Sequence, residues 1–227
     1  LVEAVRNRLD GTTLLSGRRV TGISLREGGY EVALPGESHR ADAVVITTQT
    51  GTAAGWIEEW DPSLAKQLRE IQYVSTATVS LGFEKKEVPH PLRGFGFVIP
   101  RREGRKIMAS TWSSTKFPGR APEEALVEQD DAALISIARQ ELQSILGIRA
   151  EPVVAKVFRW IKANPQYHVG HLDRIAEIEK RAAQHPGLFL TGAAYRGVGI
   201  PDCIHQGMET AEKILHLFSP GAPSKPR

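Results

Sequence analysis

The sequence is short of several things, and each shortage excludes a class of protein. It has one cysteine, Cys203, so no disulfide can form within the chain. No run of about 18 apolar residues occurs, which excludes a membrane-spanning helix. Charge of one sign is lacking too: 29 basic and 26 acidic side chains leave a net of +3, so overall charge gives no ground for nucleic-acid binding. There is no internal repeat and no low-complexity segment, which excludes solenoids and collagen-like chains. The first residues, Leu1-Val2-Glu3-Ala4-Val5-Arg6, include an acid and no apolar core segment, unlike a signal peptide. With the lone cysteine, this makes the cytoplasm the expected location, with peripheral membrane contact left open. The chain starts without Met and already in a helix-like pattern, so it is expected to be a piece of a longer protein. What remains is ordinary globular composition, 41% hydrophobic and 24% charged over 227 residues.

Apolar residues at 1, 2, 5 and 9 have helical spacing. Val20, Ile23 and Leu25 predict a strand over 19–26, Gly28-Gly29 a turn, and Tyr30, Val32 and Leu34 the second strand of a hairpin. The run at 41–48 predicts a strand buried on both faces, as in a parallel sheet. Pro62 opens a short helix over 64–71. Strands are predicted at 73–83, 94–99 and 106–112, with a turn at 101–105. A helix over 132–146 is stopped by Gly147; a strand at 152–160 and a helix at 172–183 follow. A short apolar strand at 188–191 precedes the last helix, 201–218, expected to bury Ile204, Gly207, Ala211, Ile214, Leu215 and Phe218. Residues 220–227 read as a loose tail.

The strongest local signal is Leu188-Phe189-Leu190-Thr191-Gly192 followed by Gly197-Val198-Gly199-Ile200-Pro201-Asp202. A strand runs through a Gly-rich bend into a helix, whose free N–H groups and positive dipole end suit an anionic or carbonyl-rich ring above Val198–Ile200. An ordinary strand–turn–helix that needs glycine for tight packing reads equally well. Gly199 is expected where a Cβ would meet such a ring or force backbone strain. The loop Asn164-Pro165-Gln166-Tyr167-His168-Val169-Gly170-His171, after Trp160, offers aromatic, amide and imidazole groups to a cofactor edge. For His168 and His171 a surface loop beside a packed tryptophan is the better reading, since no carboxylate or cysteine lies at ligand spacing, and no metal is expected. Cys203 reads as a small core residue. Between Arg93 and Arg120 seven basic residues face only Glu103, a local net of +6, among Phe95, Phe97, Trp112 and Phe117. That suits a large, flat polyanion; a solvated hairpin turn explains 101–106 as easily.

Taken together, Trp160, Pro165-Gln166-Tyr167, Gly170-His171 and the stretch Gly192 to Gly207 resemble the C-terminal half of the oxygen-dependent porphyrinogen oxidases of haem synthesis, within the flavin amine-oxidase superfamily. The Firmicute coproporphyrinogen III oxidase type is nearest and the protoporphyrinogen oxidases are its siblings. Residues 41–48, Gly94-Phe95-Gly96-Phe97, and 113–122 also fit, so the resemblance covers nearly the whole chain.

The resemblance implies an α/β fold: part of a glutathione-reductase-type FAD-binding domain (1–50 and 160–219) interleaved with a mixed-sheet substrate domain (51–159). It implies an FAD-dependent oxidase that takes six electrons from a tetrapyrrole porphyrinogen, with O2 as acceptor. By matching motif, Val20 would approach the adenine side through its backbone. Trp160 would pack by the flavin, and Val198, Gly199 and Ile200 would bring N–H groups to the flavin edge. Val98 and Phe117 would line the substrate cavity, and the basic stretch, with Arg93 and Arg120, would meet propionates. The +6 charge leans to the tetracarboxylate substrate. No general base is identified, and neither nucleic acid nor a particular oligomer is implied. The G-x-G-x-x-G turn that holds the FAD pyrophosphate in such folds does not occur in this sequence. The resemblance also implies a further strand after Arg120-Ala121-Pro122, where this sequence runs straight into Glu123-Glu124-Ala125: either it is deleted or the sequence omits residues there. Another flavin oxidase, acting on amines or carotenoids, and a non-catalytic binding module remain as alternatives.

Overall fold

A computed structural model describes residues 2–112 and 130–219. The chain divides into two compact units, one made of 1–73 and 164–227 and the other of 74–163. The first unit opens with a short helix α1 (Val2–Arg6) and a three-stranded antiparallel meander: β1 (Gly22–Arg26), β2 (Gly29–Leu34) and β3 (Glu37–Ala41). Register places Ile23 opposite Val32 and Tyr30 opposite Ala41. Polar Glu37-Ser38-His39-Arg40 carries no apolar alternation, so the third strand escaped the sequence reading; pairing along β2 forms it.

Strand β4 (Val44–Ile46) pairs in parallel with β9 (Leu188–Leu190), although more than 140 residues separate them. The expectation of burial on both faces fails at Val45, which stays 39% exposed on a face that nothing among the described residues covers; β4 also has one strand neighbour among them. Helices α2 (Thr50–Ile57) and α3 (Pro62–Arg69) follow, and α5 (His171–Ala182) packs on α3. Their inner faces give the core: Ala53, Ile57, Leu64, Leu68, Ile175 and Ile178 are fully buried. Helix α2, Thr-Gly-Thr-Ala-Ala-Gly-Trp-Ile, contains two glycines and two threonines, poor helix formers, and forms because Ala53, Ala54 and Ile57 are buried. This packing carries the unit on to Tyr73, where the sequence put the boundary at residue 50.

Asp61 fastens that core. It caps α3 by accepting from Leu64 N at 2.9 Å, with Pro62 in the first turn. The same carboxylate accepts from Arg181 Nε at 2.7 Å and sits 2.7 Å from His185 Nε2. Its burial pushes the carboxyl pKa up, but the hydrogen bonds from His185, Leu64 N–H and Arg181 outweigh that and hold it below the usual aspartate value.

In the second unit, β5 (Gln72–Gly82) pairs with β8 (Val154–Gln166), and β6 (Gly96–Val98) forms a hairpin with β7 (Ala109–Thr111). Helix α4 (Asp131–Leu146) ends at Gly147, which is left-handed at φ 73°, as the sequence predicts. A separate core joins Trp112, Leu146 and Ile148 with Phe83 and Phe97, where Phe97 meets Trp112 edge-on at 5.5 Å.

The last helix, α6 (Ile200–Phe218), departs most from expectation. It was expected to bury Ile204, Leu215 and Phe218, yet these are 52%, 68% and 53% exposed, and Gly207 and Ala211 are exposed with them. The stripe that is turned inward holds Gln206 and Thr210. Gln206 hydrogen-bonds the bend that precedes the helix, through Gly197 O and the Arg196 N–H.

Candidate functional site

The site is the bend between β9 and α6, all within the first unit. Strand β9 delivers the chain to Gly192 at φ 119°, a conformation side chains rarely adopt. Gly197, at φ 146°, then turns it into the helix. Both polar groups of the Gly197 peptide are held. Its N–H donates to Tyr167 Oη at 3.0 Å, and its carbonyl accepts from Gln206 Nε2 at 3.4 Å and Cys203 Sγ at 3.7 Å. Gly199 is the helix N-cap, and its N–H donates to Asp202 Oδ2 at 3.1 Å.

After these bonds the N–H groups of Val198 and Ile200 have no partner among the described residues. Both residues face outward, 60% and 65% exposed. Two free donors therefore project beside the N-terminus of a 19-residue helix, where the dipole adds about half a positive charge. This arrangement can hydrogen-bond an electron-rich, carbonyl-bearing ring edge and favour negative charge on it.

One expectation changes. Gly199 has φ −70° and ψ 149°, open to any residue, so it is under no backbone strain. The constraint lies two residues earlier. A Cβ at Gly197 would come within 2.6 Å of Asp202 Cβ, whereas one at Gly199 would meet only Asp202 Oδ2, at 2.7 Å. The two glycines make the notch that seats Asp202.

The remaining predicted residues are more scattered. Val20 is half-buried on the first unit's core, and its backbone N–H and C=O have no partner among the described residues. Trp160 is in β8 of the second unit, 53% exposed. Val98 is 81% exposed on β6, on the face away from Phe97 and Trp112. Arg93 is exposed; Phe117 and Arg120 lie outside the described residues, as does the region after Arg120. The basic stretch is partly neutralised. Arg105 donates to Glu141 Oε2 at 3.1 Å and to Ser144 Oγ at 3.0 Å, and 101–103 is a single turn of 3-10 helix closed by Gly104.

Residues that the sequence reading gave no role prove central. Asp202 and Gln206 occupy the helix's first two turns as clamps, and an acid three positions past a helix N-cap was the available signal. Tyr167 and His171 stack at 3.8 Å and 12°, and His171 Nε2 lies 2.9 Å from Tyr195 O, so His171 is buried at the start of α5 where a surface loop is expected, and Trp160 is exposed where it is expected to pack. No cluster fit for a metal exists among the described residues.

The family model for flavin containing amine oxidoreductases matches residues 1–215. The chain belongs to that family. It is 36% identical to coproporphyrinogen III oxidase of Bacillus subtilis (strain 168), covering 96% of this chain and 50% of that protein. The Staphylococcus aureus coproporphyrinogen III oxidase is 31% identical over 95% of this chain and 49% of that protein. Among solved structures, a protein from Exiguobacterium sp. 255-15, provisionally named protoporphyrinogen oxidase, superposes with a TM-score of 0.79 at 28% identity over 94% of this chain and 49% of its own. The chain spans about half the length of the curated relatives it matches. The mixed α/β architecture accords with the FAD-binding fold of the family, and no helix among the described residues is long and apolar enough to cross a membrane.

Proposed function

We propose that this chain is the flavin-edge and substrate-facing part of an FAD-dependent porphyrinogen oxidase acting in haem synthesis. Bound FAD would supply the redox chemistry, a two-electron oxidation of the substrate in each round with O2 as the final acceptor. Three rounds convert coproporphyrinogen III to coproporphyrin III. The protein's contribution is to bind, orient and exclude water.

The observation that carries this reading is the bend. Val198 and Ile200 N–H groups, left free beside the α6 N-terminus, would hydrogen-bond the flavin's carbonyl-bearing edge and stabilise its anionic reduced form. Val20 would meet the adenine side through its unpaired backbone, and Trp160 would pack by the flavin. The first unit would be the second half of the FAD domain and the second unit the substrate domain that interrupts it. Val98, on an exposed strand face, and Phe117 would border the tetrapyrrole. Arg93 and Arg120 would pair with its propionates, favouring the tetracarboxylate substrate.

The test uses the full-length protein loaded with FAD and assayed for porphyrin fluorescence on coproporphyrinogen III and protoporphyrinogen IX. Faster turnover of coproporphyrinogen supports the reading. Oxidation of amines or carotenoids but neither porphyrinogen, or failure to take up FAD at all, overturns it.

A further inference from the structure

We infer that Tyr167 is a positioning residue for the bend that presents the free N–H groups, its hydroxyl bridging Gly197 and Ala193. The inference rests on the flavin reading above and adds a residue to it. The hydroxyl accepts from Gly197 N at 3.0 Å and donates to Ala193 O at 2.6 Å. One oxygen thus bridges the two ends of the segment 193–197, which begins in the turn closed by Tyr195 N–H donating to Gly192 O at 3.1 Å. Gly197 is the residue whose φ of 146° aims the chain at Val198.

The phenol is itself held. Its ring stacks on His171, and His171 Nε2 reaches Tyr195 O at 2.9 Å, inside the same loop. The loop is therefore gripped at 193, 195 and 197 from a single side, by two rings that arrive from the start of α5 and the residue after β8. Gln206, from α6, holds the other side through Gly197 O and the Arg196 N–H. Burial raises the Tyr167 pKa, so the hydroxyl keeps the proton it donates.

Removing the oxygen leaves the part-buried Gly197 N–H and Ala193 C=O unpaired and leaves Gly197 held through its carbonyl alone, by Gln206 and Cys203. The N–H groups of Val198 and Ile200 are the next donors along the chain and would lose their fixed direction. Preorganised donors act most on the charge that develops, so the reduced flavin should suffer more than the oxidised one.

The test is Tyr167→Phe in the full-length protein, with FAD affinity measured by fluorescence and the midpoint potential by redox titration. Phe keeps the stack on His171 and removes only the bridge. We expect oxidised FAD to bind about threefold more weakly and reduced FAD about thirtyfold more weakly. The tenfold difference lowers the two-electron potential by about 30 mV. A residue that only supports the fold would lower the melting temperature and leave the potential alone. Unchanged potential and affinity overturn the inference. Should Tyr167→Phe fail to fold, 3,5-difluorotyrosine at 167, titrated at a pH low enough to keep its acidified phenol protonated, keeps the ring and weakens acceptance from Gly197; a potential equal to wild type then overturns it. Gly197→Ala separates the two levels of argument. Loss of FAD there with a normal Tyr167→Phe refutes only the role of Tyr167. Normal FAD binding in Gly197→Ala refutes the flavin reading.

Discussion

Gly197 and Gly199 look alike in sequence, and the structure makes them different. At Gly197 an added Cβ meets φ 146° and approaches Asp202 Cβ at 2.6 Å and Cγ at 2.7 Å. Asp202 Cβ is fixed to the first turn of α6, so it cannot swing away. The backbone strain is worth about 1–3 kcal/mol. Displacing Asp202 removes the cap on Gly199 N–H, about 1 kcal/mol more. Gly197→Ala should therefore cost roughly 2–4 kcal/mol, a fall of about 4–16 °C in Tm for a chain of this size. Gly199→Ala has unstrained backbone and meets only the mobile carboxylate end, so it should cost about 1 kcal/mol and 2–4 °C. Scanning calorimetry of both variants without FAD isolates these terms from flavin binding. Equal losses in the two variants, or a neutral Gly197→Ala, would refute the notch geometry.

Asp61→Asn should remove one identifiable part of the acid sensitivity of folding. The native carboxyl is held below its ordinary value near 3.8. Its contribution is therefore complete above about pH 4 and is lost as pH falls through the lower native value. Wild-type Tm should drop across that window, while the variant starts about 2 kcal/mol less stable at pH 7 and changes less; parallel curves would contradict it. Asp202→Asn keeps an acceptor for Gly199 N–H and removes a negative charge from the helix N-terminus. Reduced FAD should then bind two- to fivefold more tightly relative to oxidised FAD, from about 0.3–1 kcal/mol of relieved repulsion; a redox titration showing a lower potential would oppose it.

The elements legible in the sequence were those whose pattern is local. Alternation exposed β1 and β2, Pro62 and Gly147 bounded α3 and α4, and the glycines around 197 marked the bend. What escaped depends on partners far along the chain. Strand β3 exists because β2 pairs with it, and α2 helps bury a core built with residues more than 100 positions away. The site was half legible for the same reason. Val198, Gly199 and Ile200 sit in a motif, but nothing local says that Tyr167 lies under Gly197, 30 residues distant, or that Gln206 turns inward. Helix periodicity assigned α6 an apolar inner face, whereas the residues turned inward are Gln206 and Thr210 and the apolar stripe is exposed. The +6 count likewise treated Arg105 as available, though Glu141 and Ser144 already bind it.

That inversion of α6 has a consequence for the chain studied by itself. Ile204, Met208 and Leu215 form one stripe at helical spacing, 52%, 60% and 68% exposed, with Phe218 at its end. Nearby in the same unit, the parallel pair β4–β9 has no third strand among the described residues. Parallel strands are ordinarily covered on both faces and flanked on both sides. An apolar stripe and an open sheet edge are the two commonest routes to association. The 227-residue chain alone should therefore self-associate at micromolar concentration and purify without FAD, since the sequence carries no glycine turn for the pyrophosphate. Ile204→Glu with Leu215→Lys should shift it toward monomer by light scattering, because both residues point away from Gln206 and the bend. A monomeric wild-type chain with stoichiometric FAD and a sharp thermal transition would refute this. It would mean that the stripe is tolerated in water and that the flavin is held by contacts other than the ones described.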